Sequence, residues 1–89
     1  MPRIVVTHAV EDAARWLDGK AERAAAIASL SGSNVSDYVA EDGSNNVAIC
    51  CDVSDLAAMQ AQLESPSPEV AGAMQKHGVI PPLTVYVEG

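Results

Sequence analysis

The sequence has very few aromatic residues. Its 89 residues include one tryptophan, two tyrosines and no phenylalanine, so aromatic residues make up only 3% of the chain. Hydrophobic residues make up 48%, but much of this share is alanine, which buries little area per residue. A single domain of this length buries roughly 60–65% of its unfolded surface, so its own core is modest. This combination favours association, and closed two-fold homo-oligomers are its commonest form.

Basic residues are also scarce, and this shortage excludes several kinds of partner. Five Lys and Arg residues stand against twelve Asp and Glu residues, which gives a formal net charge of −7 at pH 7. Neither nucleic acid nor an anionic membrane surface is expected as a partner, because both need a basic footprint. The longest apolar runs are far too short to span a bilayer. Because no hydrophobic signal segment follows Met1, the sequence predicts a cytoplasmic protein.

The two cysteines do not form a recognisable site. Cys50 and Cys51 are adjacent, and neighbouring residues of a strand point to opposite faces, so the pair is poorly placed to form a disulfide. The Cys-x-x-Cys spacing of zinc and thioredoxin-like sites is absent. Together with the two histidines, the cysteines do not make a metal-binding set. The sequence therefore predicts packed free thiols, no metal site and no cofactor.

What the chain does contain is a regular alternation of strand and helix patterns. β-branched and apolar residues predict strands over 3–10, 35–41, 47–53 and 83–87. Helical spacing and capping residues predict helices over 13–30, with a break near Gly19, from 55 onward, and over 68–77. This β-α-β-β-α-β order predicts a single α+β domain over residues 1–89. The expected fold is ferredoxin-like, with an antiparallel four-stranded sheet and the helices on one face.

Several local signals place the connections between these elements. The segment 31–34 is expected to end the first helical region as a loop. Asp42-Gly43 begins a hairpin turn. Pro81-Pro82 is expected to form an extended hinge before the last strand. Asp37, on the second strand, is expected to be solvated.

The first and third strands are apolar at nearly every position. If the helices cover one face of the sheet, the other face should be polar, and in this sequence it is not. A second copy, packed sheet to sheet, is the simplest cover for that face. We therefore expect a homodimer.

Three segments resemble the dimeric α/β-barrel superfamily, a ferredoxin-like group that includes antibiotic-biosynthesis-monooxygenase-like and stress-responsive barrel proteins. The matching residues are Val6-Thr7-His8-Ala9-Val10-Glu11-Asp12 with Trp16, then Val47–Val53 with Ser54-Asp55, then Ser67-Pro68-Glu69, Met74 and Gly78-Val79-Ile80-Pro81-Pro82. The resemblance implies that two subunits pack their sheets into one barrel and that each subunit has an internal cavity. It also implies a wide range of activities, from cofactor-free oxygenases and haem-degrading enzymes to isomerases, cyclases and proteins without a known reaction. The fold alone cannot choose among them.

His8 is the candidate catalytic residue. It lies near the end of the first strand, on the face of Ile4, Val6 and Val10, and its ordinary pKa lies near neutrality, which suits a general base or a ligand anchor. The alternative is a core histidine whose ring nitrogens are satisfied by neighbouring groups. Haem ligation by a single histidine also stays open, but no basic group for the propionates is evident near it.

Three aromatic residues complete the predicted ligand site. Trp16 follows on the first helix and could fold over the same pocket as His8, although packing alone would also explain it. Tyr38 and Tyr86 lie on the second and fourth strands, where each could offer a hydroxyl to a cavity or sit at a subunit rim. His77 precedes Gly78 at a helix end, where charge–dipole stabilisation explains it without a functional role.

The sequence leaves open whether the protein is an enzyme. In the first hypothesis, a cytoplasmic homodimer binds a small apolar or aromatic molecule and carries out cofactor-independent oxygenation, isomerisation or cyclisation, with His8 handling the proton. In the second, the protein is a non-catalytic binding or stress-associated member of the same fold. A third alternative is a ferredoxin-like monomer that serves as an interaction module.

Overall fold

The computed structural model describes residues 2–89, which form a four-stranded antiparallel sheet with helices packed on one face. The strands are β1 (Arg3–Val10), β2 (Gly32–Val39), β3 (Asn46–Val53) and β4 (Val79–Val87), and the helices are α1 (Ala13–Asp18), α2 (Lys20–Ser29), α3 (Leu56–Glu64) and α4 (Pro68–Lys76). The strand order in the sheet is β2-β3-β1-β4. This arrangement confirms the predicted ferredoxin-like α+β fold, in which each helical region is divided into two helices.

Each division between helices occurs at a residue that breaks helical geometry. Gly19 separates α1 from α2, at the predicted break. Pro66 and Pro68 separate α3 from α4, because proline cannot continue a helix and restricts the residue before it. Ser67 then caps α4, since its hydroxyl accepts a hydrogen bond from the Val70 amide at 3.4 Å.

Helices α1 and α3 begin at acidic capping residues. The Asp12 carboxylate accepts from the Ala14 amide at 2.9 Å, and the Asp55 carboxylate accepts from the Ala58 amide at 3.1 Å. At the far end of α4, Gly78 has a φ of +71°, the left-handed conformation that a helix-ending glycine adopts at low cost. These signals are local, which is why the sequence alone places them well.

The two central strands alternate strictly between buried and half-buried residues. On β1 the buried set is Ile4, Val6, His8 and Val10, and it faces the helices. The helix-covered core consists of these residues together with Trp16, Val47, Ile49, Cys51, Val53 and Met59. Cys51 is buried on this side and Cys50 is half-buried, as expected for neighbours on opposite faces.

The prediction for the second strand is wrong at both ends. β2 begins at Gly32, inside the predicted loop, and ends at Val39, two residues before the predicted limit at Glu41. Gly32 enters the strand because the backbone passes close to α2, where a Cβ at this position would collide with the side chain of Ile27. The pairing with β3 shifts register between Ser33 and Ser36, where Asn34 has a φ of +54°. Such a bulge is hard to foresee from small polar residues.

The last strand also begins earlier than predicted. β4 starts at Val79, so Pro81 and Pro82 lie within the strand rather than in a hinge before it. They are tolerated because β4 is at the edge of the sheet, where a missing amide donor is less costly. The pairing of β4 with β1 shifts register between Thr7 and Ala9, directly opposite His8. The irregular part of the β1–β4 pairing therefore lies at the predicted catalytic residue.

None of the helices within residues 2–89 is long and apolar enough to cross a membrane.

Candidate functional site

A cavity of about 330 Å³ lies between the helix-covered face of the sheet and the helices. Its walls are mainly apolar and include Ile4, Val6, Ile27, Val70, Met74 and Leu83. No residue of α4 is fully buried, although several of its side chains line the cavity. The space stays unfilled because the chain has no phenylalanine and its helices are rich in alanine. Its volume and apolar lining are in the range of small-molecule pockets in proteins.

Among the side chains with polar atoms that line this cavity, four come from β1, α1, α2 and the end of α4: His8, Trp16, Arg23 and His77. All four residues are buried. The structure therefore brings together two of the predicted ligand residues, His8 and Trp16, and adds two others that carry polar hydrogen-bonding atoms.

His8 is held in one tautomer by the backbone. Its Nδ1 lies 2.9 Å from the carbonyl oxygen of Ala9, and a carbonyl can only accept, so Nδ1 carries the proton. In the neutral ring the lone pair is then on Nε2. Burial lowers the pKa of His8 below its ordinary value of 6.5, and the positive charge of Arg23 lowers it further, while the hydrogen bond to Ala9 opposes the shift. A neutral imidazole with a free basic nitrogen is what a general base requires.

Trp16 is fully buried against His8. The two ring centroids are 6.1 Å apart, with an interplanar angle of 76°, which is an edge-to-face contact. The α1 helix begins at the Asp12 cap and carries Trp16 in its first turns, so the cap fixes where the indole lies. The indole Nε1 is buried and has no hydrogen-bond partner within residues 2–89. Trp16 is thus a packing residue whose buried indole N–H has no hydrogen-bond partner among the described residues.

Arg23 is stacked on Trp16 and paired with Asp37. Its guanidinium carbon lies 3.9 Å from the centre of the indole, and its Nη1 donates to the Trp16 carbonyl oxygen at 2.8 Å. Its Nε donates to the Asp37 carboxylate at 3.2 Å. The side chains of the pair are only 7% and 1% exposed, so the expectation that Asp37 is solvated is wrong. Asp37 is buried because a buried guanidinium needs a counter-charge.

His77 is the last of the four buried polar residues at the cavity. Its ring packs on the backbone at Gly19, where an added Cβ would lie 2.7 Å from Nε2. The same Nε2 is 3.8 Å from the Glu22 carboxylate, which is too far for a hydrogen bond. Burial and the nearby charge of Arg23 lower the pKa of His77, although Glu22 opposes the shift. Packing against the break between α1 and α2 therefore explains His77 better than the helix dipole does.

Four buried polar atoms lack hydrogen-bond partners among the described residues, and they belong to this one region: Nε1 of Trp16, Nη2 of Arg23, Oδ2 of Asp37 and Nε2 of His77. Buried polar groups without partners are rare in folded proteins, since each costs about 1–3 kcal/mol. Their concentration around an apolar cavity is the arrangement expected of a binding site for a molecule with a small polar part.

The structure separates the two tyrosines from this cavity. Tyr38 pairs across from Ala48 on β3, and Tyr86 pairs across from Val5 on β1. Both lie on the face of the sheet that the helices leave uncovered, and their exposed fractions are 53% and 57%. Tyr38 lines a second, shallow cleft on that face, together with Thr7 and Pro82. The predicted ligand residues thus divide between the two faces of the sheet.

Sequence reasoning missed Arg23, Asp37 and the burial of His77. A signal existed for the first two. Arg23 follows Trp16 by seven residues, which is the length of about two helical turns, although the break at Gly19 lies between them. Asp37 is two residues from Val35 and from Val39, a spacing that places the three on the same face of a strand. The expectation that no basic group lies near His8 is also wrong, because Arg23 lines the same cavity. Its guanidinium is, however, already paired with Asp37.

The described part of the chain, residues 2–89, has no group of three or more His, Cys, Asp or Glu residues that could hold a metal ion. Cys51 is buried near the cavity, and burial raises the pKa of its thiol, which keeps it protonated and unreactive.

Solved structures that share this fold include two proteins described as follows. One is an antibiotic biosynthesis monooxygenase. The match covers all of this chain and 97% of that one, with a TM-score of 0.64 and 11% sequence identity. The other is a candidate antibiotic biosynthesis monooxygenase from Deinococcus radiodurans, with 18% identity, a TM-score of 0.59, and coverage of 100% and 93%. At these identities the likeness shows the fold alone, and it confirms the ferredoxin-like architecture that the resemblance implies.

No protein-family model matches the sequence, and no curated protein matches it.

Proposed function

We propose that the protein binds a small, largely apolar aromatic molecule in the cavity and oxygenates it without a cofactor, with His8 as the general base. The observation that carries the proposal is the state of His8, a neutral imidazole in a mainly apolar cavity with its proton fixed on Nδ1. Both structural neighbours are named as monooxygenases or candidates for that activity, which supports oxygenation as the reaction.

The reaction needs a substrate with an acidic C–H bond that is beside a carbonyl group or is conjugated to one through an aromatic ring. Nε2 of His8 removes the proton, and the electron pair remains on the substrate as an enolate. The enolate carbon transfers its electrons to O₂ and forms a C–O bond, and protonation gives a hydroperoxide. Loss of water then leaves a carbonyl, so that one CH₂ and one O₂ become one C=O and one H₂O. Isomerisation or cyclisation would use the same first proton transfer.

Anthrone is a suitable probe for this reaction, because it is an apolar aromatic ketone with acidic CH₂ protons. Oxygen uptake and the absorbance of the quinone product report turnover. We expect His8→Gln to lower turnover by about 100-fold to 10,000-fold, the usual contribution of a positioned general base. Thermal unfolding of the variant checks that the core is intact.

The outcome decides between the two functional hypotheses. If anthrone binds but neither protein takes up oxygen, the proposed oxygenation is wrong and the non-catalytic alternative is favoured. If wild type and His8→Gln oxidise anthrone equally fast, His8 is a core residue and the proposed base is wrong.

We also propose that the open face of the sheet is covered by a second copy of the chain. We use the term open face for the strand side chains on the side without helices, which include Val5, Thr7, Tyr38, Ala48, Cys50 and Tyr86. Apolar groups predominate there, and the two tyrosines are more than half exposed. A face of this kind is unusual on a monomer. The ion pair of Arg3 and Asp52, 3.0 Å long and about 30% exposed, lies on the same side.

Charge substitution at the centre of the open face tests this assembly. Thr7→Lys should convert a dimer to a monomer in sedimentation or native mass spectrometry, because two copies would oppose like charges across a two-fold axis. Gln60→Lys places the same charge on the exposed surface of α3 and serves as the control. A wild-type protein with the mass of one chain would contradict the dimer and favour the interaction-module alternative.

A further inference from the structure

We propose that α4 is a lid over the cavity, and that a ligand enters between α4 and β4 when this helix unwinds locally. This inference rests on the proposed binding of a ligand in the cavity, and it does not depend on His8 or on the reaction. It adds the route of entry and the element that controls the rate of binding.

α4 is the least buried of the four helices. Each of the other three buries one side chain, namely Trp16, Arg23 and Met59, whereas α4 buries none. Its apolar residues Val70 and Met74 are only half-buried, although both line the cavity. Segments with little buried apolar surface open locally at a smaller cost in free energy than core elements do. α4 is therefore the part of the cavity wall that opens at the smallest cost.

Open space lies along two sides of α4. The cavity is on one side, and a cleft of about 400 Å³ lies between α4, β4 and the end of α3. The cavity and the cleft share four half-buried lining residues: Leu63, Met74, Val79 and Leu83. These side chains therefore separate the two spaces. Exposed residues such as Glu64, Pro66 and Gln75 also line the cleft, so a movement of Met74 together with α4 would join the cavity to solvent.

The sequence of α4 makes this helix weak by itself. It has nine residues, and isolated helices shorter than about 12–15 residues are marginal in water. Gly72 lies in its middle, and glycine is one of the least favourable residues for helix formation. Pro66 and Pro68 interrupt the helical backbone between α3 and α4. Because of this interruption, α4 can unwind without unwinding α3.

The two ends of α4 are held unequally. At the C-terminal end, Nη2 of Arg15 donates to the Lys76 carbonyl oxygen at 2.6 Å, and Nζ of Lys76 donates to the Glu22 carboxylate at 3.0 Å. At the N-terminal end, the Ser67 amide donates to the side chain of Gln62 at 3.1 Å, and the next two residues of the chain are exposed. Unwinding therefore begins at the N-terminal end, and the C-terminal end is the fixed point.

Gly72→Ala tests the lid without removing a contact. A Cβ added at this exposed position meets no atom within 4 Å. Alanine favours the helix over glycine by about fivefold, and it favours the closed lid equally with and without a ligand. We therefore expect the rates of ligand binding and release both to fall about fivefold, with the dissociation constant unchanged. A substitution that altered the cavity itself would change the dissociation constant.

The probe is 1-fluoronaphthalene, an apolar aromatic molecule whose ¹⁹F line shapes during a titration give both rates. Ala71→Gly weakens α4 and should raise both rates about fivefold. Its matched control, Ala61→Gly, makes the same change at an exposed position of α3 and should leave both rates unchanged. Thermal unfolding checks that each variant is folded.

Hydrogen exchange measures the opening of α4 in the absence of a ligand. We expect the amide hydrogens in the second half of α4 to exchange faster than those of β1 and β3, because they require only local opening. Gly72→Ala should slow exchange in α4 about fivefold. Bound 1-fluoronaphthalene should also slow it, because the ligand stabilises the closed form.

These results separate the lid from the proposed function. If Gly72→Ala slows amide exchange in α4 but leaves both ligand rates unchanged, the lid is wrong while the cavity remains a binding site. If the amides of α4 exchange no faster than those of β1 and β3, the lid is also wrong. If the ligand rates follow α4 but anthrone is not oxygenated, the lid stands and the proposed reaction is wrong. If 1-fluoronaphthalene does not bind to the wild-type protein, both proposals are wrong.

Discussion

Successive residues of β1 enter two different environments. Ile4, Val6 and His8 face the helices and are buried, whereas Val5 and Thr7 lie between them on the open face and are only half-buried. Both faces are largely apolar, so hydrophobicity does not distinguish them. They differ in how their polar groups are held. The helix-covered face has a few fully desolvated polar contacts around a cavity, whereas the open face has partly solvated ones beside a shallow cleft.

This difference in solvation determines how strongly the polar groups of each face interact. Charge-assisted contacts strengthen as water is excluded, so the same ion pair has different consequences on the two faces. Arg23 and Asp37 are nearly inaccessible, while Arg3 and Asp52 remain about 30% exposed. Matched substitutions on the two faces test whether their polar groups differ in desolvation.

The largest effect on stability is expected from the two aspartates. Asp37→Asn leaves the buried guanidinium of Arg23 without its counter-charge, and we expect a loss of about 3–5 kcal/mol in the free energy of unfolding. Asp52→Asn makes the same chemical change on the open face and should have a much smaller effect, because water and Asn34 remain close to the site. Urea unfolding of both variants measures the difference. Equal losses would mean that the ion pair near the cavity is no more desolvated than the one on the open face.

The next largest loss of stability is expected when Val6, rather than its neighbour Val5, is shortened to alanine. Val6→Ala removes two buried methyl groups from the core, where Val6 is only 7% exposed, and should cost about 2 kcal/mol. Val5→Ala removes the same groups from the half-buried open face and should cost less than about 1 kcal/mol in the monomer. Thermal unfolding at several protein concentrations checks both values. A concentration-dependent loss in Val5→Ala alone would place that residue in a subunit interface.

A smaller change in the free energy of unfolding is expected when the pH is lowered, and it arises from two histidines on the helix-covered side. The pKa values of His8 and His77 are lowered by burial in the folded state, from an ordinary value of 6.5 that the unfolded chain retains. Just below that value the unfolded chain therefore binds more protons, and stability falls as the pH falls through the folded pKa values. Arg23 and Lys76 disfavour the charged rings, while Glu22 favours the charged form of His77.

Two substitutions isolate this contribution. His8→Gln and His77→Gln should each flatten the loss of stability between pH 7 and about pH 5 in urea unfolding. The exposed carboxylates Glu22 and Asp52, whose pKa values are lowered by Lys76 and Arg3, contribute only at lower pH. An unchanged slope in both variants would show that neither ring is buried in its neutral form.

The fold could be predicted because its signals are local. The alternation along β1 and β3, the caps at Asp12, Asp55 and Ser67, and the break at Gly19 each depend on a few neighbouring residues. Alternation also placed His8 on the face of Ile4, Val6 and Val10. The start of β2 could not be predicted, since Gly32 is fixed by its contact with Ile27 on another element.

The candidate site was only half predicted, for the same physical reason. His8 and Trp16 are close in sequence and share one capped connection, so their contact follows from local structure. Arg23 and Asp37 lie on a helix and an edge strand, and their pairing depends on how far that helix packs over the sheet. Tyr38 and Tyr86 lie on the two edge strands, and pattern alone could not assign them to the face away from the cavity.

The contact between His77 and Gly19 has a practical consequence for engineering. A glycine between two helices is an obvious choice for replacement by alanine, which usually favours helix formation by about 1 kcal/mol. Here the new methyl group would lie 2.7 Å from Nε2 of His77, which is closer than non-bonded atoms approach, so the imidazole or the end of α4 would have to shift. A thermostability screen should therefore rank Gly19→Ala among its failures.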